Sequence, residues 1–159
     1  MPRTPTLVCG VVDSQRGELR SADNPDDAQI AAMMTNLNNT WRRMGASYGG
    51  VDMKMQFQLA TRDPSGNTTS GILRVNGSSV TNYASGGISN NGTAGSADEH
   101  DVKILSDWPN TDYINIWIVN KINGSAVSPG GYAYSPEYAE GSIDGIVINA
   151  SVVDGSNKT

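Results

Sequence analysis

The chain has 159 residues, of which 17% are charged, and a formal net charge of -5. That is one domain's length, and an acidic balance argues against a nucleic-acid partner, since phosphate binding needs a basic face. One Cys and one His exclude an internal disulfide, a multi-His zinc site and a Cys-His or Ser-His-Asp catalytic set built from this chain. Ser, Thr and Asn (17, 11 and 15 residues) and 18 Gly take the place of charge, which describes a neutral, polar, turn-rich surface. No run of about 18 apolar residues exists to span a membrane, and Met1 to Val12 lacks the long apolar core of a signal peptide.

Thr6 to Val12 is apolar almost throughout, the mark of a strand buried on both faces. A helix is expected over about 24–44, with Asn24 as N-cap, Pro25 at the first helical position and Asp26 and Asp27 on the positive end of the dipole. Ile30, Met34, Leu37, Trp41 and Met44 form its apolar stripe. Arg42, Arg43 and Gly45 suit its C-terminus. Met53 to Leu59 alternates as a strand with one wet face. Asp63 to Asn67 reads as a turn and Gly71 to Val75 as a short strand. Residues 76–97 read as one long loop of Asn, Gly, Ser, Thr and Ala. A short helix fits within Asp98 to Asp107. Tyr113 to Val119 carries the strongest strand signal. Gly131-Tyr132-Ala133-Tyr134, stopped by Pro136, has an edge-strand pattern, and Ile143 to Ile148 is a last apolar strand. Strand, helix, then strands with long crossovers predicts an α/β fold with parallel pairs.

Few residues carry chemistry by themselves. His100, in Asp98-Glu99-His100-Asp101, reads as a solvated side chain rather than a metal ligand or general base. Asp23 to Asp27 lacks the glycine and distal Glu of a calcium loop and is better explained by capping. Asp144-Gly145 favours a turn over a metal site, and Cys9 a buried inert thiol. Asn-x-Ser/Thr sequons begin at Asn38, Asn67, Asn76, Asn91, Asn123, Asn149 and Asn157. Acidic residues outnumber basic ones nine to three from Asp98 onward.

Taken in order, Asp27-Ala28-Gln29-Ile30, then Phe57-Gln58-Leu59-Ala60-Thr61-Arg62-Asp63-Pro64-Ser65-Gly66-Asn67, then Gly71 to Val75, Tyr113-Ile114-Asn115-Ile116-Trp117-Ile118-Val119, Gly131-Tyr132-Ala133 and Asp144 to Ile148 resemble the N-terminal half of the catalytic domain of the pappalysin family, which are metzincin zinc endopeptidases. The resemblance runs from about Thr6 to Thr159. It implies a twisted, mostly parallel mixed sheet with an antiparallel edge strand and a backing helix. That is the upper subdomain of a metzincin, here without its active-site helix, so 1–159 is expected to be a single partial domain. The family's HExxHxxGxxH should follow the strand at Ile146 to Ile148, and it occurs nowhere in this sequence. No catalytic or metal residue is therefore carried over.

The resemblance implies a secreted enzyme in which zinc-bound water hydrolyses peptide or protein substrates, with no membrane partner. Zinc would belong to the complete domain and not to this chain. Gly131, Tyr132, Ala133 and Tyr134 would be the edge strand that binds extended substrate. Structural calcium, known in the family, is possible here with no ligand assigned. Two other readings stand: a non-catalytic secreted module binding extended peptides along that edge, and a polar secreted domain with a structural role. Without the helix that would cover the sheet, apolar side chains of the last strands are expected to meet water.

Overall fold

A computed structural model describes residues 4–13, 24–43, 51–135 and 141–153. Its centre is β1 (Thr6–Asp13), buried from Leu7 onward. An apolar run of this kind needs strands on both edges and layers on both faces, and it has them. On one edge β1 pairs in parallel with β2 (Gln58–Leu59) and then β3 (Ile72–Asn76). On the other it pairs in parallel with β6 (Ile114–Val119), Cys9 opposite Ile116. β6 pairs in parallel with β8 (Ile146–Asn149), and β8 takes the one antiparallel partner, β7 (Gly131–Ala133). The sheet order is β2-β1-β6-β8-β7, with β3 beside β2 on β1. The mixed, mostly parallel sheet with an antiparallel edge is the architecture expected.

One face is covered by α1 (Asp27–Trp41). Its N-cap is Asp26, not Asn24. The Asp26 carboxylate accepts from the Gln29 N–H at 2.8 Å, and the Gln29 side chain accepts from the Asp26 N–H at 2.9 Å, a full capping box. Asn24 is unavailable for capping because it is buried and accepts from the Arg74 guanidinium of β3. Arg74 also donates to the Pro25 carbonyl at 2.9 Å and pairs with Asp27 at 2.6 Å. The expected stripe is the one that packs. Ile30 and Met34 are buried, and Leu37 and Trp41 lie half-buried on the cluster of Leu7, Cys9, Val11, Ile116 and Ile118. Met44 and Gly45 lie outside the described residues. Trp41 meets Phe57 edge-on, ring centroids 5.5 Å apart. Asn38 clamps the Phe57 backbone, donating to its carbonyl at 2.9 Å and accepting from its N–H at 2.6 Å. This clamp replaces the long strand expected at Met53 to Leu59: only Gln58 and Leu59 join the sheet, and Met53 is exposed.

The opposite face is covered by the segment expected to be one loop. It contains α2 (Tyr83–Gly86), β4 (Ile88–Ser89) and β5 (Ala97–Asp98), the last two paired in parallel, followed by α3 (Glu99–Lys103). Buried Tyr83 anchors it, its hydroxyl donating to the Val12 carbonyl at 2.8 Å. The small residues allow backbone to touch backbone: a Cβ on Gly86 would lie 2.0 Å from the Gly95 oxygen. Tyr83, Ile88, Val102, Trp117, Val119 and Val147 form the buried cluster on this side. Both layers reach β8, so of the exposure expected for the last strands β8 shows it at Ile146, which is 38% exposed, beside buried Val147.

Half-burial places Trp41→Ala at the lower end of large aromatic truncations, a loss of about 3 kcal/mol. A denaturant titration showing under about 1 kcal/mol would mean that Trp41 does not pack on the sheet.

Candidate functional site: the antiparallel edge strand

The edge strand follows from three local facts. Among the described residues the sheet has one antiparallel pairing, at β7, which sets Tyr132 opposite Val147. The Asn149 N–H donates to the Gly130 carbonyl at 2.8 Å. Antiparallel hydrogen-bonded pairs recur every second residue, so the backbone of Gly130 and Tyr132 faces β8. The N–H and C=O groups of Gly131 and Ala133 then face away from β8, on the side of β7 where no other described strand pairs. Both residues are exposed. Gly131 suits the position, because a Cβ there would lie 2.6 Å from the Val147 oxygen.

Tyr132 and Tyr134 point to the face of α3. Their rings meet edge-on at 5.9 Å, and both hydroxyls donate to the Glu99 carboxylate, Tyr132 to Oε2 at 3.1 Å and Tyr134 to Oε1. The same Oε2 receives Lys103 Nζ at 2.7 Å. Lys103 is completely buried. Its ammonium also donates to the Ile143 carbonyl at 3.0 Å and lies 5.1–5.3 Å from the ring centroids of Trp117, Tyr132 and Tyr134. Trp117 closes the group by donating its indole N–H to the Lys103 carbonyl at 3.1 Å. Burial pushes the Lys103 ammonium below its ordinary value, against the pull of Glu99. Burial, with the Glu99 charge adding to it, raises both phenols, Tyr134 to about 12 and Tyr132 further.

Of the residues singled out in the sequence, Gly131, Tyr132 and Ala133 form β7, and Tyr134 extends past it as a half-buried side chain. Pro136 lies outside the described residues. His100 is exposed on α3, one residue from Glu99, and Cys9 is buried with its thiol pushed up to about 12 by burial. Gly145 takes φ +147 next to Asp144, a bend that any Cβ would obstruct at 2.4 Å from the Asn115 oxygen. Glu99 and Lys103 were missed as site residues. Their spacing of four on a short helix was the available signal, and the surrounding charges hid it. The donor set does not suit zinc: among the described residues no three His, Cys, Asp or Glu side chains come together as a metal site.

No protein-family model and no curated protein sequence matches the chain. Solved structures do. Mirolysin in complex with compound 9 shares 28% identity at a TM-score of 0.68, covering 94% of this chain. Mature mirolysin of Tannerella forsythia in complex with a cleaved peptide shares 28% at 0.65, and a promirolysin mutant from the same organism 27% at 0.63. The chain spans 47–53% of the length of these proteins. Mirolysin is a pappalysin-like metzincin, so the fold and the family resemblance read from the sequence agree with its structure.

Glu99→Gln leaves the fully buried Lys103 without its counter-charge, a loss of about 3 kcal/mol or more, and adding Lys103→Met recovers most of it. The phenols give the pH test. Unfolded tyrosines ionise near 10 while folded Tyr134 holds its proton to about 12. Their contribution to stability is thus complete below about pH 10 and disappears as pH rises through the folded value. In Glu99→Gln the Tyr134 phenolate appears at lower pH. An unchanged phenolate titration, with a stability loss under about 1 kcal/mol, would mean that Glu99 does not hold the tyrosines.

Proposed function

We propose that this chain is the sheet-bearing half of a secreted zinc metalloendopeptidase catalytic domain, and that Gly131, Tyr132, Ala133 and Tyr134 form the edge along which an extended peptide substrate lies. The observation that carries the reading is the outward backbone of Gly131 and Ala133, unpaired with any other described strand, on an antiparallel edge, in a fold like that of a protein whose structure holds a cleaved peptide. An exposed edge gives sequence-tolerant backbone hydrogen bonds, while pockets for alternate side chains add selectivity. The described residues offer no metal site, so no hydrolytic step is assigned to them. Their part is to bind and orient the peptide, and Glu99 and Lys103 hold the strand that does so. Among the described residues no helix is long and apolar enough to cross a membrane.

Adding a proline-free extended peptide to the isotope-labelled chain is expected to move the amide resonances of Gly131 and Ala133 and to leave that of Tyr132, which already faces β8, comparatively still. Saturable binding with shifts confined to another surface would overturn the assignment of the edge.

On the same reading the chain cleaves neither casein nor gelatin when supplied with zinc, and takes up no stoichiometric zinc in equilibrium dialysis. Cleavage by the purified chain would contradict the division of labour.

A further inference from the structure

Three of the sequons begin with Asn-Gly: Asn76-Gly77, Asn91-Gly92 and Asn123-Gly124. Asn-Gly is the dipeptide most open to attack of the backbone on the side chain, because glycine puts no Cβ in the way and adopts the needed conformations. The fold treats the three differently. The Gly77 N–H donates to the Asp13 carbonyl at 2.8 Å, and the Gly124 N–H to the Gly86 carbonyl at 3.0 Å. Gly77 is moreover buried against Tyr83, and the Asn123 amide is paired with Asn90 through 3.0 and 3.3 Å bonds. The Gly92 N–H has no hydrogen-bond partner among the described residues. Gly92 is exposed at φ +74, with nothing within 4 Å of the place a Cβ would occupy.

The Asn91 side-chain oxygen is also held by three donors. This Oδ1 accepts from the Thr93 hydroxyl at 2.6 Å, the Thr93 N–H at 3.2 Å and the Ser89 hydroxyl at 3.2 Å. Three donors on one carbonyl oxygen draw electron density from Cγ and stabilise negative charge developing on the oxygen. The Nδ2 group, which must leave, has no partner among the described residues.

From this geometry we infer that Asn91 is a self-modification site, converting through a cyclic imide to aspartate and isoaspartate while Asn76 and Asn123 are protected. The Gly92 nitrogen loses its proton to solvent base and attacks Asn91 Cγ. The new N–Cγ bond forms as the Cγ–Nδ2 bond breaks, and ammonia leaves after taking up a proton. One water then adds to either imide carbonyl and reopens the ring, with no change of oxidation state. The net exchange of ammonia for water adds one negative charge. An aspartate at 91 keeps the acceptor that the Thr93 and Ser89 donors use, so this product leaves the turn intact. The isoaspartate product routes the chain through the side-chain carbon and misplaces Thr93.

The test is peptide mapping by mass spectrometry of the intact chain held in mildly alkaline buffer, beside the same chain in denaturant. In the folded chain Asn91 is expected to react about tenfold or more faster than Asn76 and Asn123, each of which must first break a hydrogen bond by local opening. In denaturant the three rates converge, and Asn91→Gln abolishes the fast phase of the folded chain. The inference is overturned if Asn76 or Asn123 keeps pace with Asn91 in the folded chain. It is equally overturned if the folded chain stays unmodified over a period in which the denatured chain reacts.

Discussion

A buried ammonium fixes the most consequential part of this molecule. Removing a lysine charge from water costs several kcal/mol after relaxation, so Lys103, with no exposed surface, stays charged only if its surroundings replace the water. Glu99 supplies the counter-charge, the Ile143 carbonyl one further acceptor, and Trp117, Tyr132 and Tyr134 three ring faces. Glu99 in turn is completed by the two phenols. The partners come from four elements: α3, the 3₁₀ turn Gly141–Ile143, β6 and the edge strand with its extension. Displacing any of them strands a charge, so the location of β7 is set from one face by electrostatics rather than by length of pairing, which is only three residues.

Among the described residues this arrangement leaves the other side of β7 without a paired strand. A strand that must present its outward backbone to a ligand cannot be held by a further strand. It can be held by its side chains, and here alternate residues divide the work: Tyr132 and Tyr134 grip α3, while Gly131 and Ala133 stay small and exposed. The rigid base is the parallel core, in which β1, β6 and β8 are paired along their lengths and covered by α1 on one side and the segment from Tyr83 to Lys103 on the other.

Much of this was legible in the residues because period and burial agree. The apolar runs at Leu7 to Val12 and Ile114 to Val119 became the core strands, and the stripe from Ile30 to Trp41 became the packed face of α1. Failures fall where tertiary contacts override local pattern. Asn24 has the right chemistry for an N-cap, yet Arg74, fifty residues away, occupies its side chain. Residues 76–97 look unstructured because Gly, Ser and Asn carry no periodic signal, and their order comes from Tyr83 and from close backbone approach at Gly86. In the site, the short run Gly131 to Tyr134, stopped by Pro136 in the sequence, announced an edge strand. The charged run at Asp98 to Asp101 gave no hint that Glu99 alone turns inward, since that depends on Lys103 and on tyrosines more than thirty residues downstream.

The account rests on the orientation of the β7 backbone, and amide hydrogen exchange read residue by residue on the unliganded chain tests it most directly. It predicts alternation: slow exchange at Tyr132, bonded to β8, and fast exchange at Gly131 and Ala133, whose N–H groups face outward. Slow exchange at Gly131 and Ala133 with fast exchange at Tyr132 would contradict it, because the strand would then present the opposite set of backbone groups at the free edge.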